Sequence, residues 1–191
     1  MQKTMKTGWN VRTLVYMAMM IAIQIVLSRV LSVSIGPTLR LAFGPVATIM
    51  AGLWLGPVAG GLCGLCADIL GCLMQGNAIN PLITGAAILW GVIPVIALRL
   101  LPAGSGKRKK VITLILSIAA TGVLSSLVLT TAGLVWMYSM NLAAVLPKRI
   151  IQACVMVPCY CILANLLYFS PLTGMILSNT AVPGTSSCTN D

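Results

Sequence analysis

The sequence predicts an all-α integral membrane protein, a bundle of six transmembrane helices with both termini in the cytoplasm. Of its residues, 59% are hydrophobic and only 7% are charged, whereas ordinary soluble domains carry about 25% charged residues. The charges lie between long apolar runs, and a membrane span needs about 20 consecutive, mostly apolar residues. Six such runs nearly fill the chain. We therefore expect one membrane domain over residues 1–175 and a polar, disordered cytoplasmic tail over residues 176–191.

The six apolar runs are the predicted membrane spans. In chain order they are Val11–Val33, Leu41–Leu55, Val58–Met74, Pro81–Leu101, Val111–Met137 and Pro147–Phe169. The first run follows Lys3, Lys6 and Arg12, as in a secretory signal peptide, but no small-residue cleavage site comes after it. We therefore expect it to be retained as a helix. The second and third runs meet at Gly56 and Pro57, which favours a tight helical hairpin.

The positions of the basic residues predict the orientation, because cytoplasmic loops carry an excess of Lys and Arg. With the N-terminus inside, eight of the 12 Lys and Arg face the cytoplasm, namely Lys3, Lys6, Arg12, Arg99, Lys107, Arg108, Lys109 and Lys110. Three face outward, namely Arg40, Lys148 and Arg149, while Arg29 lies within the first span. Both termini are therefore predicted to be cytoplasmic, and Gly104–Lys110 is an inner loop that can meet anionic lipid headgroups.

The same composition excludes several kinds of site. The basic residues are not interleaved with aromatic side chains that would stack on bases, so no nucleic-acid partner is expected. With seven cysteines and no histidine, a zinc site would need thiolates buried in lipid. The cysteines are therefore interpreted as small hydrophobic residues, and no metal is expected. Acid–base catalysis needs positioned titratable groups, which one intramembrane aspartate cannot supply, so we expect neither an enzyme nor a cofactor.

Small residues recur at helical spacing in two places. Between the second and third spans they fall at Gly52, Gly56, Gly60, Gly64, Ala67 and Gly71. Such spacing lets helix backbones approach closely in lipid, so packing within the chain is the favoured interpretation. In the first span, Ala18 and Ala22 form a notch between bulky neighbours. On spacing alone internal packing is favoured there too, and docking of another membrane subunit is the alternative.

Asp68 is the only acid predicted inside the membrane. A charged residue at that depth costs about 2.5–3.5 kcal/mol on insertion scales, so it usually has a partner or a function. Arg29 and Asp68 each lie about six residues from the outer end of their spans, which at 1.5 Å per residue is a depth of roughly 10 Å. We predict an intramembrane ion pair between Arg29 and Asp68. An ion-coupling role for Asp68 is the alternative.

The outer segments gather polar residues that suit a planar, anionic ligand. Arg40 opens the second span, and Lys148 and Arg149 follow Pro147 at the start of the sixth. Cations at a helix N-terminus are disfavoured by the macrodipole, which favours a role in binding carboxylates over a role in topology alone. Lipid phosphate is the alternative partner. The predicted ligand-binding residues are Arg40, Asn77, Asn80, Trp136, Lys148, Arg149 and Gln152.

Three stretches resemble the substrate-binding (S) component of energy-coupling-factor (ECF) vitamin transporters, most strongly the folate-type members. They are LSRVLSVSIGPTLRLAFGPVATIMAG at Leu27–Gly52, LGPVAGGLCGLCADILG at Leu55–Gly71 and LPKRIIQACVMVPCYCIL at Leu146–Leu163. In this order, in a six-helix chain of this length, they are fairly specific. Folate-type members carry an aromatic third loop, which Gln75–Ala87 lacks. Ring stacking is therefore either altered or supplied by Trp136 and Tyr138.

The resemblance implies a six-helix bundle that binds its vitamin from outside and has no ATPase of its own. It implies a place in a prokaryotic plasma membrane and partnership with a coupling transmembrane subunit carried by two ATPase subunits. The docking surface would be Ala18 and Ala22. We therefore expect the high-affinity S component of a folate importer. An S component for another vitamin or precursor, and a stand-alone ion-coupled transporter that uses Asp68, are the alternatives.

Overall fold

The protein was analysed as a computed structural model. The structure describes residues 11–29, 33–35, 39–76, 78–102, 106–138, 142–170 and 173, with the side chains of residues 33–35, 39–41, 137–138, 142–145 and 148 excepted. The predicted boundary at residue 175 and the predicted tail lie outside these ranges and remain predictions.

Helices make up nearly all of the described chain. They are α1 (Val11–Arg29), α2 (Gly44–Leu55), α3 (Pro57–Met74), α4 (Pro81–Arg99), α5 (Lys107–Gly122), a π-helical segment (Val123–Leu129), α6 (Thr130–Tyr138) and α7 (Leu142–Tyr168). Because α5, the π-helical segment and α6 follow one another without a break, they form one continuous span. Within the described ranges, five spans are long and apolar enough to cross a membrane, and the shorter α2 is a sixth apolar helix. The predicted helical membrane bundle is thereby confirmed.

A short β-hairpin corrects the predicted end of the first span. That span was expected to run to Val33, but α1 ends at Arg29, and Val33–Ile35 is a strand (β1) paired antiparallel with Leu39–Leu41 (β2). Val33 and Ile35 are β-branched and alternate with Ser34, which is the pattern of a strand rather than a helix. Hydropathy alone does not separate such a strand from the end of an apolar helix.

The second helix is short and central. Its 12 residues extend about 18 Å, well below the roughly 30 Å of a bilayer core. It contacts α1, α3, α4 and α7, and Ile49, Met50 and Ala51 are almost completely buried. Since α3 has 18 residues and shares its inner turn with α2, the outer end of α2 lies about 9 Å below that of α3. The chain therefore enters α2 below the outer end of α3.

Glycine contacts hold α2, α3 and α4 together. A Cβ atom on Gly60 would lie 2.5 Å from the Cα of Gly52 and 2.7 Å from the carbonyl oxygen of Gly91. At Gly64, an added Cβ would overlap the backbone of Ala87. A side chain at any of these positions would push two helix backbones apart, so the packing interpretation of Gly52, Gly60 and Gly64 is confirmed.

On the other side of α2, an aromatic pair joins α4 to α7. The rings of Trp90 and Tyr160 meet edge to face at 5.2 Å, a favoured arrangement for aromatic side chains. The Tyr160 hydroxyl donates a 2.7 Å hydrogen bond to the carbonyl oxygen of Ala42, just before α2 begins. The chain entering α2 is therefore fixed to α7, which positions the start of α2.

Candidate functional site

A buried amide lies beside the start of α2, at a position that was not among the predicted ligand residues. Gln24 on α1 is only 9% exposed, and its Oε1 has no hydrogen-bond partner among the described residues. The side chain packs against Gly44 at the start of α2, and Ser28 contacts the same glycine one turn later. A buried carbonyl oxygen without a donor is costly, so Gln24 is suited to accept a hydrogen bond from a ligand.

The Arg29 side chain of α1 lies against the face of α3 that carries Asp68. The Arg29 guanidinium packs directly on Gly71, where an added Cβ would overlap it. Asp68 lies one turn away on that helix, and residues three apart share a helix face. The Asp68 Oδ2 accepts a 2.7 Å hydrogen bond from the Thr84 hydroxyl of α4. The structure therefore gives Asp68 a partner in Thr84, and its ion pair with Arg29 remains a prediction.

Asn80 joins the third outer segment to the end of α6. Its Oδ1 accepts the backbone N–H of Leu82 at 3.0 Å, which caps the start of α4. Its Nδ2 donates a 2.7 Å hydrogen bond to the carbonyl oxygen of Gly133. The side chain is 2% exposed. Both polar atoms of Asn80 are thus bonded within the chain, and contact with ring edges of a ligand, as the sequence analysis expected, remains a prediction.

The remaining predicted ligand residues are described only in part, and two of them are in contact. Arg149 Nη1 donates to Gln152 Oε1 at 3.4 Å, so these two side chains form a pair one turn apart on α7. Trp136 is 70% exposed near the end of α6. The backbone of Arg40 pairs with Ser34 in the hairpin. The side chains of Arg40 and Lys148, and the whole of Asn77, lie outside the described residues.

The predicted docking notch lies on the face of α1 that points away from the rest of the bundle. Ala18 and Ala22 are both exposed, and so is their neighbour Met19, at 58%. Met17 and Gln24 are the buried residues of this helix and face the bundle. Ala18 and Ala22 therefore do not pack internally, which leaves the notch open to another membrane component.

The chemistry of the candidate site follows from its polar side chains. Across the described ranges, no three His, Cys, Asp or Glu residues come together as a possible metal site. The site residues are amides, hydroxyls, cations and one hydrogen-bonded carboxylate, which recognise polar groups through hydrogen bonds. The sequence offered a signal for Gln24 and Thr84, since a lone polar side chain within an apolar span usually has a partner. It offered no sign of which face each would take.

The apolar spans and the polar side chains between them define an integral membrane protein with groups that can bind a polar solute. The chain belongs to the substrate-specific components of ECF transporters, because the model of the family described as "ECF transporter, substrate-specific component" matches residues 12–179. It is accordingly a multi-pass protein of the plasma membrane.

One relative and two solved structures show which members of the family this chain is similar to. The folate transporter FolT of Clostridium novyi (strain NT) is 28% identical over 157 residues, which cover 80% of this chain and 86% of FolT. The crystal structure of FolT bound with folic acid superposes with a TM-score of 0.69 at 25% identity, covering 83% of this chain and 93% of that one. The S component of a bacterial ECF transporter superposes at 0.58 with 23% identity, covering 82% and 95%, and supports the fold alone.

Proposed function

We propose that this protein captures folate at the outer face of the membrane and passes it to an ATP-driven coupling module. The likeness to FolT bound with folic acid, at a TM-score of 0.69 over 83% of the chain, carries the proposal. The relative from Clostridium novyi (strain NT) is also a folate transporter. Membership of a substrate-specific component family favours this function over a stand-alone transporter that uses Asp68.

The proposed binding residues form two groups, one for each end of the ligand. Folate has a flat, hydrogen-bonding pterin ring and a glutamate tail with two carboxylates. Arg40, Lys148 and Arg149 would hold the carboxylates through charge-assisted hydrogen bonds. Gln24, whose Oε1 has no partner in the described chain, would accept an N–H of the ring. Trp136, which is 70% exposed, would stack on it.

Other predicted residues would hold these binding groups in place or add contacts to the ligand. Asn80 would hold the third outer segment against α6 through its bond to Gly133, and Asn77 would add an amide from the same segment. Gln152, which already accepts a hydrogen bond from Arg149, would keep that guanidinium in place. This division makes Asn80 and Gln152 positioning residues.

Transport would require partner subunits, because the chain belongs to a family of substrate-specific components of a larger transporter. The exposed notch of Ala18 and Ala22 would receive a helix of the coupling transmembrane subunit, since small residues permit close helix contact in lipid. Two ATPase subunits would drive the coupling subunit. The division of labour leaves this chain to select the solute and its partners to supply the energy.

The deciding experiment is a titration of the purified chain in detergent with folate and a panel of other B vitamins. Binding is measured by the quenching of tryptophan fluorescence. Tight and selective quenching by folate is expected. Arg40→Ala is expected to weaken folate binding at least about tenfold, or about 1.4 kcal/mol. Tight binding of a different vitamin would refute folate and keep the family. A folded protein that binds none of them would refute the proposed function.

A further inference from the structure

An apolar groove opens at the opposite end of the molecule, between the start of α5 and the end of α7. Its volume is about 380 Å³, its walls are Val111, Ile112 and Phe169, and Lys107 and Arg108 stand at its edge. Ile112 is 63% exposed and Phe169 is 44% exposed. The cationic start of α5 places this groove at the cytoplasmic surface. A surface groove with apolar walls at that depth faces lipid chains rather than water.

The cations beside this groove have no acidic partner in the part of the chain that the structure describes. The chain has two acids in all, and the one within the described ranges, Asp68, is hydrogen-bonded to Thr84 on the far side of the bundle. The run Lys107–Lys110 also occupies the positive end of the α5 macrodipole, where further positive charge is unfavourable. An anion from outside the chain would relieve both.

A second, smaller cavity extends the cationic surface towards α4. It measures about 220 Å³ and is lined by Arg99, Lys110 and Tyr168, together with apolar residues of α2 and α4. Tyr168 meets Phe169 edge to face at 5.2 Å, so this aromatic pair separates the two cavities. Cationic side chains from two helices therefore surround the end of α7 at one depth.

We infer that the groove between α5 and α7 binds an anionic phospholipid of the inner leaflet. Its acyl chain would lie along Val111, Ile112 and Phe169, and its phosphate would contact Lys107 and Arg108. Basic pockets between transmembrane helices on the cytoplasmic side recognise anionic headgroups, and an apolar wall adjoining the cations selects a lipid over a free anion. A zwitterionic headgroup would bring its own cation to the same place and bind less well.

The test uses the full chain in neutral detergent, with bound lipid counted by native mass spectrometry during titration with phosphatidylglycerol. Phosphatidylcholine and inorganic phosphate are titrated in parallel. Phosphatidylglycerol is expected to bind at least about fivefold more tightly than phosphatidylcholine, and Arg108→Gln is expected to remove about this factor. Lys109→Gln, an equal change of charge at a residue that lines neither cavity, is expected to leave binding unchanged.

A second pair of variants tests the apolar wall. Ile112→Gln is expected to weaken phosphatidylglycerol binding, whereas Ile115→Gln, on the same helix but outside the groove, is not. Equal binding of phosphatidylcholine, equal losses in Arg108→Gln and Lys109→Gln, or equal effects of the two isoleucine variants would overturn the inference. Displacement of the lipid by millimolar inorganic phosphate would identify a free-anion site and overturn it as well. An unchanged detergent-unfolding transition in each variant shows that the fold is intact, and this control holds whether or not the protein binds folate.

Discussion

Replacing Asn80 by alanine removes two interactions at once. The first is the cap on α4, through Leu82 N–H at 3.0 Å, and the second is the bond to the Gly133 carbonyl at 2.7 Å. An N-cap is worth about 1 kcal/mol, and an interhelical hydrogen bond in a membrane protein averages about 0.6 kcal/mol and reaches about 1.7. Asn80→Ala is therefore expected to lower the free energy of unfolding by about 2 kcal/mol, measured by titration with sodium dodecyl sulfate.

Asn165 provides a matched control for this measurement. Its Nδ2 donates to the Cys161 carbonyl of its own helix at 2.8 Å, so its loss breaks neither a cap nor a contact between helices. Asn165→Ala is expected to change the free energy of unfolding by less than about 0.7 kcal/mol, since alanine is the better helix former. Asn80→Asp keeps an acceptor for Leu82 but buries a carboxylate against the Gly133 carbonyl oxygen, and should therefore destabilise at least as much as Asn80→Ala. Equal losses in Asn80→Ala and Asn165→Ala would refute the reasoning.

Three further substitutions test other parts of the molecule. Gly60→Ala is expected to lower the free energy of unfolding by about 1–3 kcal/mol through overpacking, whereas Gly85→Ala, whose Cβ would meet one side-chain atom at 3.6 Å, should not; equal effects in detergent unfolding would contradict this. Gln24→Leu should leave unfolding unchanged or harder, because it removes an unpartnered buried acceptor, yet weaken folate binding about tenfold; undiminished binding would exclude Gln24 from the site. Ala22→Trp should abolish ATP-driven uptake with the coupling module while preserving folate binding, with Ala120→Trp, exposed on α5, as control; normal uptake by Ala22→Trp would remove the notch from the docking surface.

The spans and their packing could be read from the sequence because each depends on local chemistry. Long apolar runs have few alternatives in a membrane, and the start of α3 at Pro57 and of α4 at Pro81 agrees with the predictions within a residue. The glycines at Gly52, Gly60 and Gly64 were interpreted correctly for a similar reason. Their spacing permits a close contact whichever helix provides the other side.

The candidate site was harder to predict because it depends on which side chains meet. Contact between Asn80 and ligand stays a prediction, and its bond to Gly133, 53 residues away, could not be foreseen, because no local pattern specifies that pairing. Gln24 received no role, because one amide in an apolar helix does not reveal whether a partner lies opposite. The short length of α2 was also missed, since the apolar run Leu41–Leu55 continues through the end of the β-hairpin.

The π-helical segment within the fifth span has a further consequence for the register of the residues beyond it. A π turn accommodates one extra residue, and one residue corresponds to 100° of rotation in an α-helix of 3.6 residues per turn. Here the Thr130 and Thr131 hydroxyls donate to carbonyls five residues earlier, at Ser125 and Ser126. The π-helical segment absorbs this extra residue, so deleting one residue from Val123–Leu129 is expected to restore a regular helix and leave Gly133 facing Asn80. Winding all seven residues as α-helix would instead turn Gly133 away, so the segment keeps α6 in register with the third outer segment.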